Sequence, residues 1–590
     1  MKLFEKIEKK VFIPAVVILA VIIIPLYLAP EISNQIISSV FEFCTGRLGF
    51  LYLLACLVSF GFLIWLTVSR HGNVKLGSAE DKPQYSNVSW IAMLFTAGVG
   101  TSIVILGFLE PIYYVSGPPF DLEPFSKQAY EYAHMYGQFH WGLSAWAFYN
   151  PAIIATAYMM FVRKKPSMRL SVACEPVLKK QSRGFVGNVI DMLVIFGIVG
   201  SISTSLGIGA PVLSVIIREV FGIPQNYDFV VRIVVLVIWV CIFGTSVYLG
   251  LDKGIQKLSN INVVLAFVFM AIVLFVGPTT DIFKMEINSL GLYASDFVKM
   301  STYTDPFGSG KFTQEWTVFY WGWWLAFMPM MGMFVGRISR GRTIRNVVWG
   351  QLIWGSLGCC VSFMIFGGYS LFLQETGRVD LASILQSQGQ SAAIVAILRT
   401  LPMPKLMMIF LCIVCFVYLA TTIDSCAYVL AGTTMKRLKG NEEPARWNRI
   451  FWAILFCLLS IGLMLIGGLE AVKTISVLTG LPLIAVLILL IVSVKKMLTG
   501  SVIVIQKQVT FCLHIQIDIQ TLRKQSVNDS VYFSRQQIQV CKIIGNIQNI
   551  QVSFPIKIMC QQREIAVPGN KSQLTPGGVC LILQHICKYG

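Results

Sequence analysis

Four tryptophans, Trp316, Trp321, Trp323 and Trp324, fall within nine residues of an apolar run that ends in four arginines, Arg337, Arg340, Arg342 and Arg345. On a helix, Trp321 and Trp324 are neighbours at i and i+3, and Trp323 and Phe327 at i and i+4, so two aromatic ridges lie side by side. Several indole faces gathered in a dry place attract a quaternary ammonium, because that cation cannot hydrogen-bond but responds to the ring quadrupole. The competing reading is a belt of tryptophans at headgroup level. Depth separates the two. Trp316 can sit at the interface, whereas Trp323 and Trp324 lie roughly a turn and a half to two turns deeper at about 1.5 Å per residue. Pro329 and Gly332 are then expected to interrupt the helix.

Three further stretches carry groups able to hold a ligand. Ala97-Gly98-Val99-Gly100-Thr101-Ser102 sets glycines and hydroxyls in mid-run, followed by Gly107 and Glu110-Pro111. Such glycines serve either close helix packing or a locally unwound helix, whose freed carbonyls and amides must meet a polar cavity or a ligand. Trp141, Trp146 and Tyr149 fall within an arc of roughly 140° on one helix, a face that more often packs than binds. His134 and His140, near the outer end of that run, read as satisfied interfacial histidines. Tyr418-Leu419-Ala420-Thr421-Thr422-Ile423-Asp424-Ser425 places adjacent hydroxyls and a carboxylate inside an apolar run, which is costly and usually functional. Hydroxyl and carbonyl oxygens are hard ligands suited to a small cation such as sodium. The bland alternative has Thr421 and Thr422 bonding back to the preceding turn, and Asp424 counts against it.

The elements that must position these groups are membrane helices. A chain of 590 residues with 55% hydrophobic and 13% charged residues is not an ordinary soluble protein. Apolar runs long enough to span, about 20 residues each, lie near 11–30, 48–69, 89–115, 134–162, 188–217, 229–249, 255–277, 316–337, 347–373, 404–432, 450–468 and 474–494. The first carries Pro14 and Pro25, lacks a small-residue cleavage site, and reads as a retained span. The net charge of +18 is not a nucleic-acid signature. Its basic clusters, at 2–10, 70–82, 163–183, 337–345, 436–449 and 495–496, are the N-terminus and the segments after even-numbered spans. The positive-inside rule then puts both termini in the cytoplasm. The 15 cysteines have no metal-ligand spacing and read as small packing residues.

Spans three to seven and eight to twelve form two sets of five, and five is odd, so the second set enters the membrane inverted. Each set is expected to open with an interrupted helix, at Gly98 and Gly100 in one and at Pro329 and Gly332 in the other. Paired interruptions in inverted halves point to a transporter's midplane site, which favours unwinding over packing in span three. The expected fold is an all-α polytopic membrane protein, with twelve transmembrane helices and two inverted five-helix repeats. Its parts are two peripheral spans (1–88), the first repeat (89–277), an external segment with an amphipathic stretch at 282–300 (278–315), the second repeat (316–497) and a Gln- and Ile-rich tail without helical period (498–590), read as unstructured or aberrant.

These residues resemble the betaine/choline/carnitine transporter family. The likeness covers roughly residues 10–497. It is most specific in Trp316-Thr317-Val318-Phe319-Tyr320-Trp321-Gly322-Trp323-Trp324, in Arg337-Ile338-Ser339-Arg340-Gly341-Arg342 and in the glycine stretch running to Glu110-Pro111. It implies a plasma-membrane homotrimer moving trimethylammonium compounds, either with sodium or by exchange without it. Carried over, the resemblance implies a substrate box of Trp141, Trp146, Tyr149, Trp321, Trp323 and Trp324, beside Gly98, Gly100 and Ser102. Phe327 stands where similar betaine carriers have Trp. A sodium site is implied at Ala97 and Val99, opposite Tyr418, Thr421 and Thr422. Gln256 is similar to the sodium-coupled members, whereas Met331 stands where exchangers carry a methionine. The long basic helix that ends osmosensing members is not what this tail resembles. No cofactor is implied beyond sodium as the coupling ion. An enzyme would need a convergent acid/base, nucleophilic or metal set, a sensor would need a signalling domain and a channel a repeated selectivity ring; none is legible.

Overall fold

The computed structural model describes residues 6–165, 167–249, 254–308, 311–438, 442–466 and 473–499. Among them there is no strand, only the isolated bridges Ile7 to Met435 and Lys75 to Thr343. Among the described residues ten helices are long and apolar enough to cross a membrane, and a bent pair raises the number to eleven. The run read as span eleven is also helical, over Arg446–Ile466. The tail expected at 498–590 lies outside the described residues from 500 onward.

Burial sorts the helices into an inner and an outer set. The apolar window of Thr313–Ile338 is 100% buried and that of Lys127–Val162 94%, against 33% for Lys9–Leu28 (α1) and 44% for Pro30–Val68 (α2). The windows of Gln225–Ser246 and Gln256–Val276 are also only 33% buried. The aromatic helix is therefore surrounded by protein, and the belt reading fails for Trp321, Trp323 and Trp324, each 2% exposed or less.

Span three breaks in the middle. Asn87–Val99 (α3) and Ser102–Ser116 (α4) meet at 57°. Gly100 at the junction has φ +61 and ψ −168, backbone that a side chain strongly disfavours. Span four is interrupted at a single residue, without the sharp bend of span three, and the sequence reading did not foresee it. Lys127–Trp141 (α5) and Leu143–Ala157 (α6) are separated at Gly142, and Ser126 caps the start of α5 through its hydroxyl.

Span eight does not break. Val318–Ile338 is one helix with Pro329 inside it, contrary to the interruption expected at Pro329 and Gly332. Proline is tolerated in a membrane helix when neighbouring groups meet the freed carbonyl. Gly332 serves packing instead: a Cβ there would lie 2.4 Å from that of Ala152 on α6. The irregular turns of the later helices are π-helical, at Thr313–Thr317 and Gln351–Gly355.

At one end of the bundle the start of the chain is strapped down. The Glu8 amide donates to the Thr434 carbonyl at 2.8 Å and the Lys436 amide to that of Lys6 at 3.0 Å. Glu8 also pairs with Arg169 at 3.6 Å, and Arg169 with the buried Asp191 of the helix Phe185–Phe221 at 2.5 Å. The arginines after span eight fold back on the approach to α3: Arg340 pairs with Asp81, and Arg342 lies 4.3 Å over the ring of Trp90 while bonding Asn87.

Candidate functional site

The breaks in spans three and four lie beside the aromatic helix. A helix end leaves its last four carbonyls without intrahelical partners, and both breaks meet that need from neighbouring helices. At the end of α5, the His140 carbonyl accepts from the Trp324 indole at 2.9 Å. At the end of α3, the Thr96 carbonyl accepts from the Thr422 hydroxyl at 3.2 Å. The Thr101 hydroxyl donates to the Cys415 carbonyl at 2.9 Å. Unwinding and close packing occur together here.

The break at Gly142 sets Trp141 against the aromatic helix. Its ring stands edge-on to Trp324 at 4.9 Å and to Trp323 at 5.7 Å, while Trp323 and Trp324 stack 5.2 Å apart at 7°. Tyr149 closes on Trp324 at 6.5 Å and Trp146 on Tyr149 at 5.7 Å. Trp146 also borders the glycine break, since a Cβ on Gly98 would lie 3.3 Å from its ring and 2.9 Å from the Met331 methyl. Five of the six expected box aromatics thus form one connected group. Trp321 does not join it; it packs on the other side, against Phe139, His140 and Phe148 at 5.4 to 5.9 Å. Phe327 is buried one turn beyond Trp323, and Ser102 opens α4 with its hydroxyl buried and unpartnered.

The sequence reading missed the centre of this group. Glu110 on α4 is 0% exposed and accepts hydrogen bonds from the Trp141 indole at 2.8 Å, from the Tyr114 hydroxyl at 2.7 Å and from the Tyr320 hydroxyl. Tyr320 stacks on both Trp323 and Trp324. A carboxylate inside an apolar run is the signal that points to it. His140 is buried between the Tyr114 and Thr317 hydroxyls, 3.0 Å from each. His134 is buried against Ser289 and the Met364 carbonyl. Both histidines are satisfied, but they sit in the interior.

Of the residues expected to hold sodium, Thr422 reaches the span-three break. Thr422 lies against Gly100, where an added Cβ would be 3.3 Å from its hydroxyl, and it bonds both the Thr96 and Tyr418 carbonyls. Thr421 bonds back to the Tyr418 carbonyl at 2.6 Å, the bland arrangement, and Asn262 approaches it at 3.5 Å. Ala97 and Val99 belong to the last turn of α3 and are buried. Asp424 stands apart. It forms an ion pair with Arg449 at 2.6 Å, both side chains 0% exposed, and accepts from Ser246.

Comparison with known proteins shows what kind of protein this is. The profile of the betaine/carnitine/choline family transporters, BCCT, matches residues 10–502. The chain belongs to the BCCT family. It is 37% identical over 438 residues to a protein of Acinetobacter baumannii named "Carnitine transporter", a match covering 74% of this chain and 79% of that one. It is 36% identical over 433 residues to the "Uncharacterized transporter YeaV" of Escherichia coli K12, covering 73% and 89% respectively. Membership in BCCT makes the chain a multi-pass membrane transporter rather than an enzyme.

Proposed function

We propose that this BCCT member is a secondary transporter that carries a trimethylammonium compound, glycine betaine, carnitine or choline, across the cell membrane with sodium by alternating access. The observation that carries the reading is the buried group of Trp141, Trp323, Trp324 and Tyr149, joined to Glu110 through the Trp141 indole. Indole faces attract the trimethylammonium head, and Glu110 fixes the orientation of the rings by accepting from Trp141 and Tyr320. The Ser102 and Tyr149 hydroxyls, both buried without a partner, are available to the carboxylate of a zwitterionic substrate.

Sodium, as co-substrate, takes oxygens from the Ala97 and Val99 backbone and from Tyr418, Thr421 and Thr422. Thr422 borders the Gly100 break, so an ion held there would stiffen the same junction that shapes the cage. The chain works as a homotrimer with both termini cytoplasmic, its two five-helix repeats rocking about the site.

The test is uptake of labelled betaine, carnitine and choline into proteoliposomes, with sodium or potassium outside. Uptake that requires the sodium gradient supports the reading, and no uptake of any of the three removes it. A second reading rests on Met331, whose thioether packs against Gly98: exchange of the same compounds without sodium. Equal uptake in both buffers, accelerated by substrate inside, would select it.

A further inference from the structure

A continuous chain of hydrogen-bonding groups leads away from the carboxylate at the cage. Glu110 Oε2 lies 2.7 Å from the Tyr114 hydroxyl, that hydroxyl 3.0 Å from His140 Nδ1, and His140 Nε2 3.0 Å from the Thr317 hydroxyl. The other carboxylate oxygen, Oε1, accepts from Trp141 and Tyr320. Glu110, Tyr114 and His140 are 0% exposed and Thr317 2%. Two members of the chain bond to cage rings: Glu110 to the Trp141 indole, and His140 through its carbonyl to the Trp324 indole.

The same heavy atoms accommodate two sets of hydrogens. With a proton on Oε2, Glu110 donates to Tyr114, Tyr114 to Nδ1, and Nε2–H to Thr317. When the Nε2 proton leaves, the Tyr114 proton passes to Nδ1 and the Oε2 proton to the Tyr114 oxygen. Glu110 is then ionised and accepts from Tyr114, Nδ1–H donates to Tyr114, and Thr317 donates to Nε2. One proton departs, no heavy atom moves, and each transfer spans a distance suited to it.

We propose that Glu110, served by Tyr114 and His140, is a proton site that matches the cage to the charge of its cargo. Burial away from water favours the neutral carboxyl in the empty site. A cargo of net charge +1, such as choline, favours the carboxylate instead, because opposite charges attract strongly in a low-dielectric interior, and one proton leaves to water as it binds. A zwitterion, such as glycine betaine or carnitine, brings its own carboxylate and leaves the proton in place. Cargo and proton site then sum to zero charge in both complexes, which lets one cage accept both kinds of trimethylammonium compound.

Several other titratable groups face this chain. They are Tyr136 on α5, Tyr320 on the aromatic helix, Cys359 on Ser356–Glu375, and Lys473 on the final helix Lys473–Thr499, which acts on Glu110 through space. The amphipathic helix Thr279–Thr302 adds Tyr293, against Phe139, and Glu286, which bonds Gln138. Tyrosine, cysteine and lysine ordinarily ionise at about 10, 8.5 and 10.4, above the range tested, and Glu286 is controlled for by comparing ligands in one protein.

This inference rests on the quaternary-ammonium reading above, and one experiment separates the two. Choline, glycine betaine and carnitine are titrated into the purified full chain between pH 5 and pH 7.5, with tryptophan fluorescence as the signal and proton release read in lightly buffered solution. The Kd of choline should fall about tenfold per pH unit while those of the zwitterions stay level, and each choline bound should release about one proton against none for a zwitterion. If the chain binds none of the three, the substrate reading fails and takes this one with it. If it binds choline alone or zwitterions alone, or if all Kd values follow pH in the same way, the proton site is overturned and the substrate reading stands. Glu110→Gln has no proton to give up, so the choline slope should vanish; a slope that persists also overturns the site. His140→Gln interrupts the exit and should slow equilibration with choline more than with betaine, and equal slowing removes the relay. Should neither variant fold, the proton count in the parent decides.

Discussion

The indole of Trp141 donates to Glu110 at 2.8 Å while its ring stands edge-on to Trp324 at 4.9 Å. One side chain thus joins the buried carboxylate to the aromatic cage, and the two roles separate by substitution. Trp141→Phe keeps a ring but removes the donor, leaving a buried carboxylate oxygen short of one partner at a cost of about 1–3 kcal/mol. Thermal unfolding in detergent should show that loss. Substrate binding should weaken further in Trp141→Leu, which removes the ring too, and equal affinity in the two variants would mean the ring face contributes nothing.

Gly100 is the residue that lets span three bend. Its φ of +61 with ψ of −168 lies in a region essentially reserved for glycine, and forcing another residue there costs of order 1–3 kcal/mol. Gly100→Ala should lower the melting temperature and impair uptake. Gly332→Ala should also be damaging, but by clash with Ala152, and a smaller neighbour at 152 should relieve it. Ala152→Gly should therefore rescue Gly332→Ala and leave Gly100→Ala unrescued.

Why some of this was legible and some was not follows from how far each signal reaches. The Gly98–Gly100 break was readable because glycine's backbone freedom is local. The break at Gly142 was not: a single glycine in a long apolar run is ambiguous until the Trp324 indole is seen to satisfy the His140 carbonyl. Pro329 misled for the opposite reason. A local breaker was overridden by close packing of its helix on α6. Trp321 shares a sequence cluster with Trp323 and Trp324 and lies only about 60° round the helix from Trp324, yet its ring packs against Phe139 and Phe148, a choice made by the neighbouring helices that spacing alone does not reveal. Asp424 was correctly read as a costly buried charge, but its partner Arg449 lies on another helix, and pattern alone could not supply it.

The amphipathic helix Thr279–Thr302 carries carboxylates with opposite responses to pH. Burial raises the Glu286 pKa to about 7, against the Gln138 amide that bonds it at 2.7 Å. Asp296 is held below its usual range chiefly by the Tyr132 hydroxyl. For Glu286 the folded value exceeds the unfolded one, so its contribution is complete below about 4.5 and is lost as pH rises through about 7. For Asp296 the contribution is present above its unfolded value and is lost as pH falls through the lower, folded one. Docking of this helix on α5 should weaken above neutrality. Hydrogen exchange across residues 279–302 at pH 6 and pH 8.5 measures it, and Glu286→Gln should flatten the difference; an unchanged difference would remove Glu286 as its cause.

The last prediction concerns the charge pair at Asp424. Arg449 meets it at 2.6 Å with both side chains 0% exposed, Ser246 donates to the same carboxylate, and the guanidinium lies 5.3 Å from the Tyr428 ring centroid. Removing Arg449 strands the Asp424 carboxylate in a dry interior, which costs about 3–5 kcal/mol, whereas removing Asp424 leaves the guanidinium its second partner, Glu443, at 3.5 Å. Arg449→Met should therefore lower the yield of folded protein sharply, and Asp424→Asn less so. Removing both charges strands neither, and apolar replacement of a buried pair is often neutral or stabilising. The double variant Asp424→Leu with Arg449→Met should therefore recover most of the thermal stability. If it also recovers uptake, the pair is structural, consistent with its place away from the cage. Recovered stability without uptake would instead show that the charges themselves take part in the transport cycle, and that Asp424 belongs with Thr421 and Thr422 after all.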